Sequence, residues 1–352
     1  MSRVRASFFI RVFDFCILNH KKPLKIAKFI EISQAGCYNE FTYNIFWRKN
    51  MLDVTLVGTG GALPLKDRFL SSCIMKYNGN CFLFDCGEGT QISLRRQKIA
   101  LSRINTICVT HCHADHVSGL PGLLLSMGND MRTEKVTLIG PAGFARVLHS
   151  LLIIARELPF EIEVIELKQR VEVFEIDGCR LSSFRVEHAV PCYGYTLEID
   201  RVGRFSPEKA EKNGVPMRVW GLLQKEETVE FEGRIYTRDM AFDEARRGIK
   251  TLFCTDTRPV KIISEMAKDA DLMIYEGMFA EDAKVCRAEE TKHSTFTEAA
   301  RLAKEAAPSE LWLTHFSPSL PDPQNYISVA TDIFPNTICG KDGLHKEINF
   351  ID

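Results

Sequence analysis

Twelve cysteines occur among the 352 residues, yet no two form a C-x-x-C pair, so the common thiolate zinc and redox motifs are excluded. Cys73, Cys81, Cys108 and Cys254 lie within or beside apolar runs, where buried small hydrophobes are found, and the chain reads as one kept in a reducing, cytoplasmic compartment. The apolar run at 8–18 is interrupted by Arg11 and Asp14. It is too short and too charged to span a bilayer or to serve as a secretory core, and no membrane association is expected. Neither sign of charge dominates: 45 Lys and Arg face 46 Asp and Glu, a net charge of −1. That balance excludes a globally basic nucleic-acid binder while leaving room for a local basic patch. Internal repeats and low-complexity tracts are missing too.

What is present is an ordinary globular composition, 45% hydrophobic, sufficient for one large domain or two modest ones. Residues 1–50 differ from the rest. They carry nine Lys and Arg against Asp14, Glu31 and Glu40, show no clear periodicity, and end where Met51-Leu52-Asp53-Val54-Thr55-Leu56-Val57-Gly58 opens a strand-like run. We expect an N-terminal extension at 1–50, arising from a misassigned start, a disordered tail or an amphipathic arm, and a functional domain at 51–352.

From Met51 onward, short β-branched runs alternate with helical patterns, as in α/β architecture. Strands are expected at 54–57, 73–77, 81–85, 104–109, 136–139, 161–167, 171–176, 180–186, 193–199, 251–254, 272–275 and 311–314. Asn78-Gly79 marks a hairpin turn. Helices are expected at 89–97, 118–128, 142–155, 260–267 and 294–306, the last with a cap-like Ser294-Thr295-Phe296-Thr297-Glu298 start. Between 201 and 248 the pattern loosens into a long polar segment, the kind of insertion that is usually functional or mobile.

The chemistry concentrates in Thr110-His111-Cys112-His113-Ala114-Asp115-His116, directly after an apolar strand-like run. In an extended or turn-like segment His111 and His113 point the same way, while Asp115 and His116 reach a point about 3.5 Å off, so two metal ions fit better than one. Neutral imidazole and carboxylate without thiolate suit a catalytic zinc that keeps a position open for water. Two ions need further ligands. His188, Asp256 and His315 each follow an expected strand, at the loop edge where ligands must converge, with Asp256 placed to bridge the ions.

The H-x-H-x-D-H segment resembles that of the metallo-β-lactamase superfamily. Its companions sharpen the likeness: Gly58-Thr59-Gly60-Gly61, Asp85-Cys86-Gly87-Glu88-Gly89-Thr90-Gln91, His188-Ala189-Val190-Pro191-Cys192-Tyr193-Gly194-Tyr195, Thr255-Asp256-Thr257-Arg258-Pro259, His293-Ser294-Thr295 and Leu313-Thr314-His315-Phe316-Ser317. Over residues 51–317 the chain is similar to the short-form ribonuclease Z family, endonucleases that trim tRNA 3′ trailers. The resemblance implies an αββα four-layer sandwich with the metals at the strand ends. It implies His111, His113 and His188 on one zinc, Asp115, His116 and His315 on the other, and Asp256 on both, with manganese or another divalent ion as a substitute. Asp115 would orient or deprotonate the attacking hydroxide. His293 would stabilise the phosphorane or protonate the leaving 3′ oxygen, supported by Glu276, and Asp85 would accept from a ligand histidine or cap a loop. Independently, a phosphodiester is anionic and slow to hydrolyse, and paired zinc ions supply both a nucleophile at neutral pH and positive charge for its oxygens.

The departures from the family pattern face RNA rather than metal. Pro64-Leu65-Lys66-Asp67-Arg68-Phe69 ends in Phe where Asn is usual, Tyr275-Glu276-Gly277-Met278 stands where His-Glu-Ala-Thr is common, and the arm-like 201–248 segment lacks a Gly-Pro run. The substrate implied is precursor tRNA, and the alternative is a small phosphodiester or another ester. A homodimer is implied as well, one subunit's arm holding RNA for the other's site. A basic surface is expected from Lys66, Arg68, Arg95, Arg96, Lys98, Arg103, Arg201, Arg204, Lys209, Lys212, Arg218 and Lys225.

Overall fold

In the computed structural model the structure describes residues 51–155 and 157–351; the expectations for 1–50 fall outside them. Sixteen strands lie among the described residues: β1 (Met51–Gly58), β2 (Ser72–Tyr77), β3 (Asn80–Phe84), β4 (Ile104–Cys108), β5 (Val136–Pro141), β6 (Ile162–Leu167), β7 (Val171–Ile176), β8 (Cys179–Val186), β9 (Cys192–Arg201), β10 (Thr228–Phe231), β11 (Arg234–Thr237), β12 (Arg246–Cys254), β13 (Leu272–Glu276), β14 (Leu311–Thr314), β15 (Thr337–Cys339) and β16 (His345–Asn349). Two seven-stranded mixed sheets result, in the orders β16-β1-β2-β3-β4-β5-β6 and β15-β14-β13-β12-β9-β8-β7. All twelve expected strands are found.

Period-two alternation sorts the side chains into layers. Leu52, Val54 and Leu56 of β1 and Phe82 and Phe84 of β3 meet Tyr195 and Leu197 of β9, Phe253 of β12 and Trp312 of β14 between the sheets. The opposite face of the first sheet, with Val57, Ile74, Leu83 and Ile107, is covered by Leu94, Leu123, Leu124 and Phe144 from helices. Leu252, Cys254, Tyr275 and Leu313 of the second sheet are covered by Ile263, Phe296, Ala299 and Ala303. The central strands of each sheet are therefore buried on both faces, which explains why they read as near-continuous apolar runs. The architecture is the expected αββα four-layer sandwich.

The Asn78-Gly79 turn closes the β2–β3 hairpin with both residues at positive φ, 48° and 90°, the requirement of a type I′ turn. The 296–306 helix opens with a full capping box between Thr295 and Glu298. The 201–248 segment departs from its loosened reading. It holds helices Pro207–Lys212 and Met217–Leu223 and the β10–β11 hairpin, packed round a satellite core of Ala210, Val215, Val219, Leu223, Val229, Tyr236 and Phe242.

Strand direction positions the site. β3 and β4 are parallel, as are β12, β13 and β14. β8 runs antiparallel to β9, and β9 to β12, so β8 is aligned with β12. The loops after β3 and β4 consequently open at one edge of the first sheet, and those after β8, β12, β13 and β14 at one edge of the second, the usual place for a site in sheets of this kind.

Candidate metal centre

The structure brings all seven expected ligands together in two groups. His111, His113, His188 and Asp256 form one and Asp115, His116, Asp256 and His315 the other, with the donor atoms of each group within 4.8 Å of one another. Asp256 belongs to both. Its Oδ2 lies 3.7 Å from His111 Nε2 and 4.0 Å from His188 Nε2; its Oδ1 lies 3.2 Å from His116 Nε2 and 3.1 Å from His315 Nε2. His113 turns its Nδ1 inward, 2.9 Å from His111 Nε2 and 3.3 Å from His188 Nε2.

Local geometry explains how these side chains reach the centre. After His113, whose backbone is extended, a short helix Ala114–Val117 places Asp115 and His116 on its first turn. Asp256 and His315, and also Asp85, adopt left-handed φ values of 52°, 56° and 57°. Such backbone is costly for non-glycine residues and gathers at functional sites; here it turns three strand-end side chains toward one point.

Hydrogen bonds fix the outward-facing nitrogen of several rings. His116 Nδ1 is 2.8 Å from Asp85 Oδ2, His188 Nδ1 is 3.1 Å from the Lys292 carbonyl, and His315 Nδ1 is 2.7 Å from Ser71 Oγ. Since Ser71 Oγ donates to the Gly60 carbonyl at 3.0 Å, it accepts from His315. In the neutral ring each of these contacts leaves Nε2 as the bare nitrogen facing the centre. Asp85 fills both of its expected roles, because it also accepts from the Thr110 amide at 2.7 Å and hydroxyl at 2.9 Å.

The donor set fits divalent cations. Among the described residues His116 Nε2, Asp256 Oδ1 and His315 Nε2 are buried without a hydrogen-bond partner, a costly arrangement for protein atoms alone. Burial works against a charged His116, yet Asp256, Asp85 and Asp115 draw its pKa well above the ordinary imidazole value. Burial likewise opposes ionisation of Asp256, but His315, His116 and His111 hold its pKa well below the carboxylate range. The pocket is built to receive positive charge. The chain carries a His/Asp site for divalent metal.

Next to the ligands, Glu276 is fully buried and accepts from the Thr257 amide at 2.5 Å, the Ser294 amide at 3.0 Å and His293 Nδ1 at 3.1 Å. Burial lowers the His293 pKa, but Glu276 and Asp256 more than offset it and raise it to about 9. Ala62 N–H donates to Asp115 Oδ2 at 2.7 Å. Burial raises the Asp115 pKa, while His116 and His315 lower it below the usual range. Gly61 lies against the second group: a Cβ there would meet His315 Nε2 at 2.6 Å. The sequence reading missed Ser71, Gly61, the Ala62 amide and the Lys292 carbonyl as site elements; Gly60-Gly61 was the available signal for a close backbone approach.

Part of the expected basic surface is engaged within the protein. Arg95 pairs with Asp130 at 2.8 Å, Arg68 donates to the Leu320 and Pro321 carbonyls, Arg96 lies over the Phe69 ring and Lys209 donates to the Phe242 carbonyl. Lys66 is exposed.

Comparison with known proteins places this arrangement. A family model described as Anti-Pycsar protein Apyc1 matches residues 52–213. The crystal structure of the metallo-β-lactamase fold protein YhfI from Bacillus subtilis superposes with a TM-score of 0.62 at 18% identity, covering 85% of this chain and all of that one. Human tRNase Z, short form, superposes at 0.61 and 24% identity, with the same coverage of both chains. A ribonuclease Z of Agathobacter rectalis is 54% identical over 300 residues, 85% of this chain and 99% of its own. The likeness to the solved structures establishes the fold; the identity and full-length coverage of the curated relative establish more. The chain belongs to the ribonuclease Z family and is a metal-dependent hydrolase of that family.

Proposed function

We propose that this protein is a dizinc endoribonuclease that removes 3′ trailers from tRNA precursors and leaves a 3′ hydroxyl on the tRNA. The observation that carries the reading is the pair of four-donor groups sharing Asp256. Ligand atoms held at about 2.0–2.1 Å round a tetrahedral zinc stand roughly 3.3 Å apart; the donor pairs given above, from 2.9 to 4.0 Å in groups whose atoms all lie within 4.8 Å of one another, straddle that value. The absence of thiolate from both groups fits zinc in a catalytic setting, with manganese as the substitute. When bound, the ions lower the pKa of water and place positive charge against the phosphodiester's non-bridging oxygens.

The protein's own groups divide the remaining work. Asp115, ionised and pinned by the Ala62 amide, orients the attacking water and accepts its proton. His293 has Nδ1 committed to Glu276, whose carboxylate raises the ring's affinity for a proton against the opposing effect of burial, and Nε2 delivers that proton to the leaving 3′ oxygen. The folded arm at 201–248 grips the RNA away from the scissile bond, and a homodimer presents each arm to its partner's site. Ten free cysteines among the described residues support action in a reducing cytoplasm, and among those residues no helix is long and apolar enough to cross a membrane.

The decisive experiment incubates zinc-loaded protein with a 3′-extended tRNA and with a chromogenic phosphodiester, beside Asp115→Ala. Trailer cleavage that disappears in the variant is expected. Turnover of the small ester alone would reassign the substrate, and no turnover of either would overturn the reading.

A further inference from the structure

Arg258, two positions beyond the shared carboxylate Asp256, fastens three loops of the site to one another. Its amide donates to the carbonyl of Glu187 at 3.0 Å, next to the ligand His188. Its guanidinium donates through Nη1 to the carbonyl of His293 at 2.5 Å and to Glu298 Oε2 at 3.1 Å, and through Nη2 to Glu298 Oε1. Glu298 is itself held, because its Oε2 accepts from the Thr295 amide at 2.9 Å within the capping box. The two side chains are only 13% and 14% exposed. This planar fork, with a third acceptor on its edge, suits Arg and not Lys.

We propose that Arg258 is a positioning residue that sets the aim of His293 at the reacting phosphate, an inference that rests on the role given to His293 above. His293 occupies a short connection between the helix Val285–Thr291, which ends on Lys292 at φ 59°, and the Thr295 cap. The ring has one hydrogen bond, from Nδ1 to Glu276, and one bond leaves it free to swivel about that contact. The peptide after His293 is clamped on both sides: Arg258 binds its carbonyl and Glu276 binds the following Ser294 amide. With that peptide unable to rotate, the ring is held 3.9 Å from Asp256 Oδ2, measured from Nδ1, and Nε2 keeps one direction. Arg258 touches none of the seven ligand side chains through the bonds described, so its contribution falls on the proton donor and not on metal binding.

The test compares Arg258→Lys, Glu298→Gln, His293→Ala and the double variant Arg258→Lys/His293→Ala on a 3′-extended tRNA, with metal content and thermal midpoint measured for each. We expect Arg258→Lys to lower kcat by about 10- to 100-fold, the cost of a misaimed group, while KM stays within about threefold. Glu298→Gln lowers kcat in the same direction by less. Metal content stays at the parental value, and the double variant is no slower than His293→Ala alone, since one positioning unit is removed twice. Parental kcat in Arg258→Lys, loss of metal from that variant, or losses that add in full in the double variant would overturn the inference. Parental activity in His293→Ala would overturn the role of His293 itself, and that outcome is read without reference to Arg258.

Discussion

Ser71 Oγ lies 2.7 Å from Nδ1 of His315, a contact between residues 244 positions apart that orients one imidazole of the candidate metal centre. The hydroxyl is fully buried and its own proton is spent on the Gly60 carbonyl, so it can only accept from the ring. Ser71→Ala removes that acceptor. Loss of such an outer partner typically costs about 10- to 100-fold in metal affinity, and equilibrium dialysis is expected to show the loss confined to one ion per chain.

Asp256→Asn tests the sharing of one carboxylate. Both oxygens face ligand nitrogens, and an amide supplies one poor donor in place of two charged ones. Metal analysis is expected to show both ions weakened together, and trailer cleavage to fall by about 10²-fold or more. Retention of one tightly held ion at parental affinity would argue against a bridging role.

Gly61→Ala introduces a Cβ 2.6 Å from His315 Nε2, closer than real carbon contacts allow, and the ring must yield. Metal affinity and cleavage fall, while the far-ultraviolet circular dichroism is unchanged. An alanine variant with parental metal affinity would show that the loop moves instead of the ring.

The pH dependence of stability follows from His293 in metal-stripped protein. Its folded pKa of about 9 lies above the ordinary value of 6.5, burial being outweighed by Glu276. A raised folded pKa means the protonated ring stabilises the fold fully below about 6.5, and this contribution is lost as pH climbs through about 9. Urea midpoints should therefore fall across that interval, and Glu276→Gln should flatten the decline.

Arg132 offers a control away from the ligands. Only 2% exposed, it donates to the carbonyls of Ser102, Glu134 and Lys135 and to Asn105 Oδ1. Arg132→Met strands these acceptors and is expected to cost about 3 kcal/mol or more, read from the denaturant midpoint, with metal content per folded molecule unchanged.

The residues of the candidate metal centre were legible in the sequence because each is announced locally. His111, His113, Asp115 and His116 share six positions, and His188, Asp256 and His315 each follow an apolar run that could be identified as a strand. The central strands themselves were legible because they are covered on both faces. Less could be read where burial is partial. In β16 only Ile348 is buried, and the helices and hairpin of the arm draw on isolated residues such as Ala210, Val219 and Tyr236 set among charges, leaving little periodic signal. The left-handed backbone of Asp85, Asp256 and His315 was hidden for a different reason. Sequence rules assign that conformation to glycine, and only tertiary packing imposes it on aspartate and histidine. Ser71 and Arg258 were missed as site elements because their partners are brought near only by the finished fold.

The two sheets contribute unequal shares of the candidate ligands. His111, His113, Asp115 and His116 hang from the edge of the first, and His188, Asp256 and His315 from the second. Neither sheet by itself can complete a coordination group, so metal affinity is also adhesion between the layers. A molecule whose halves have docked out of register would fail to retain metal, and metal retention would thereby sort correctly assembled chains from defective ones before either meets RNA.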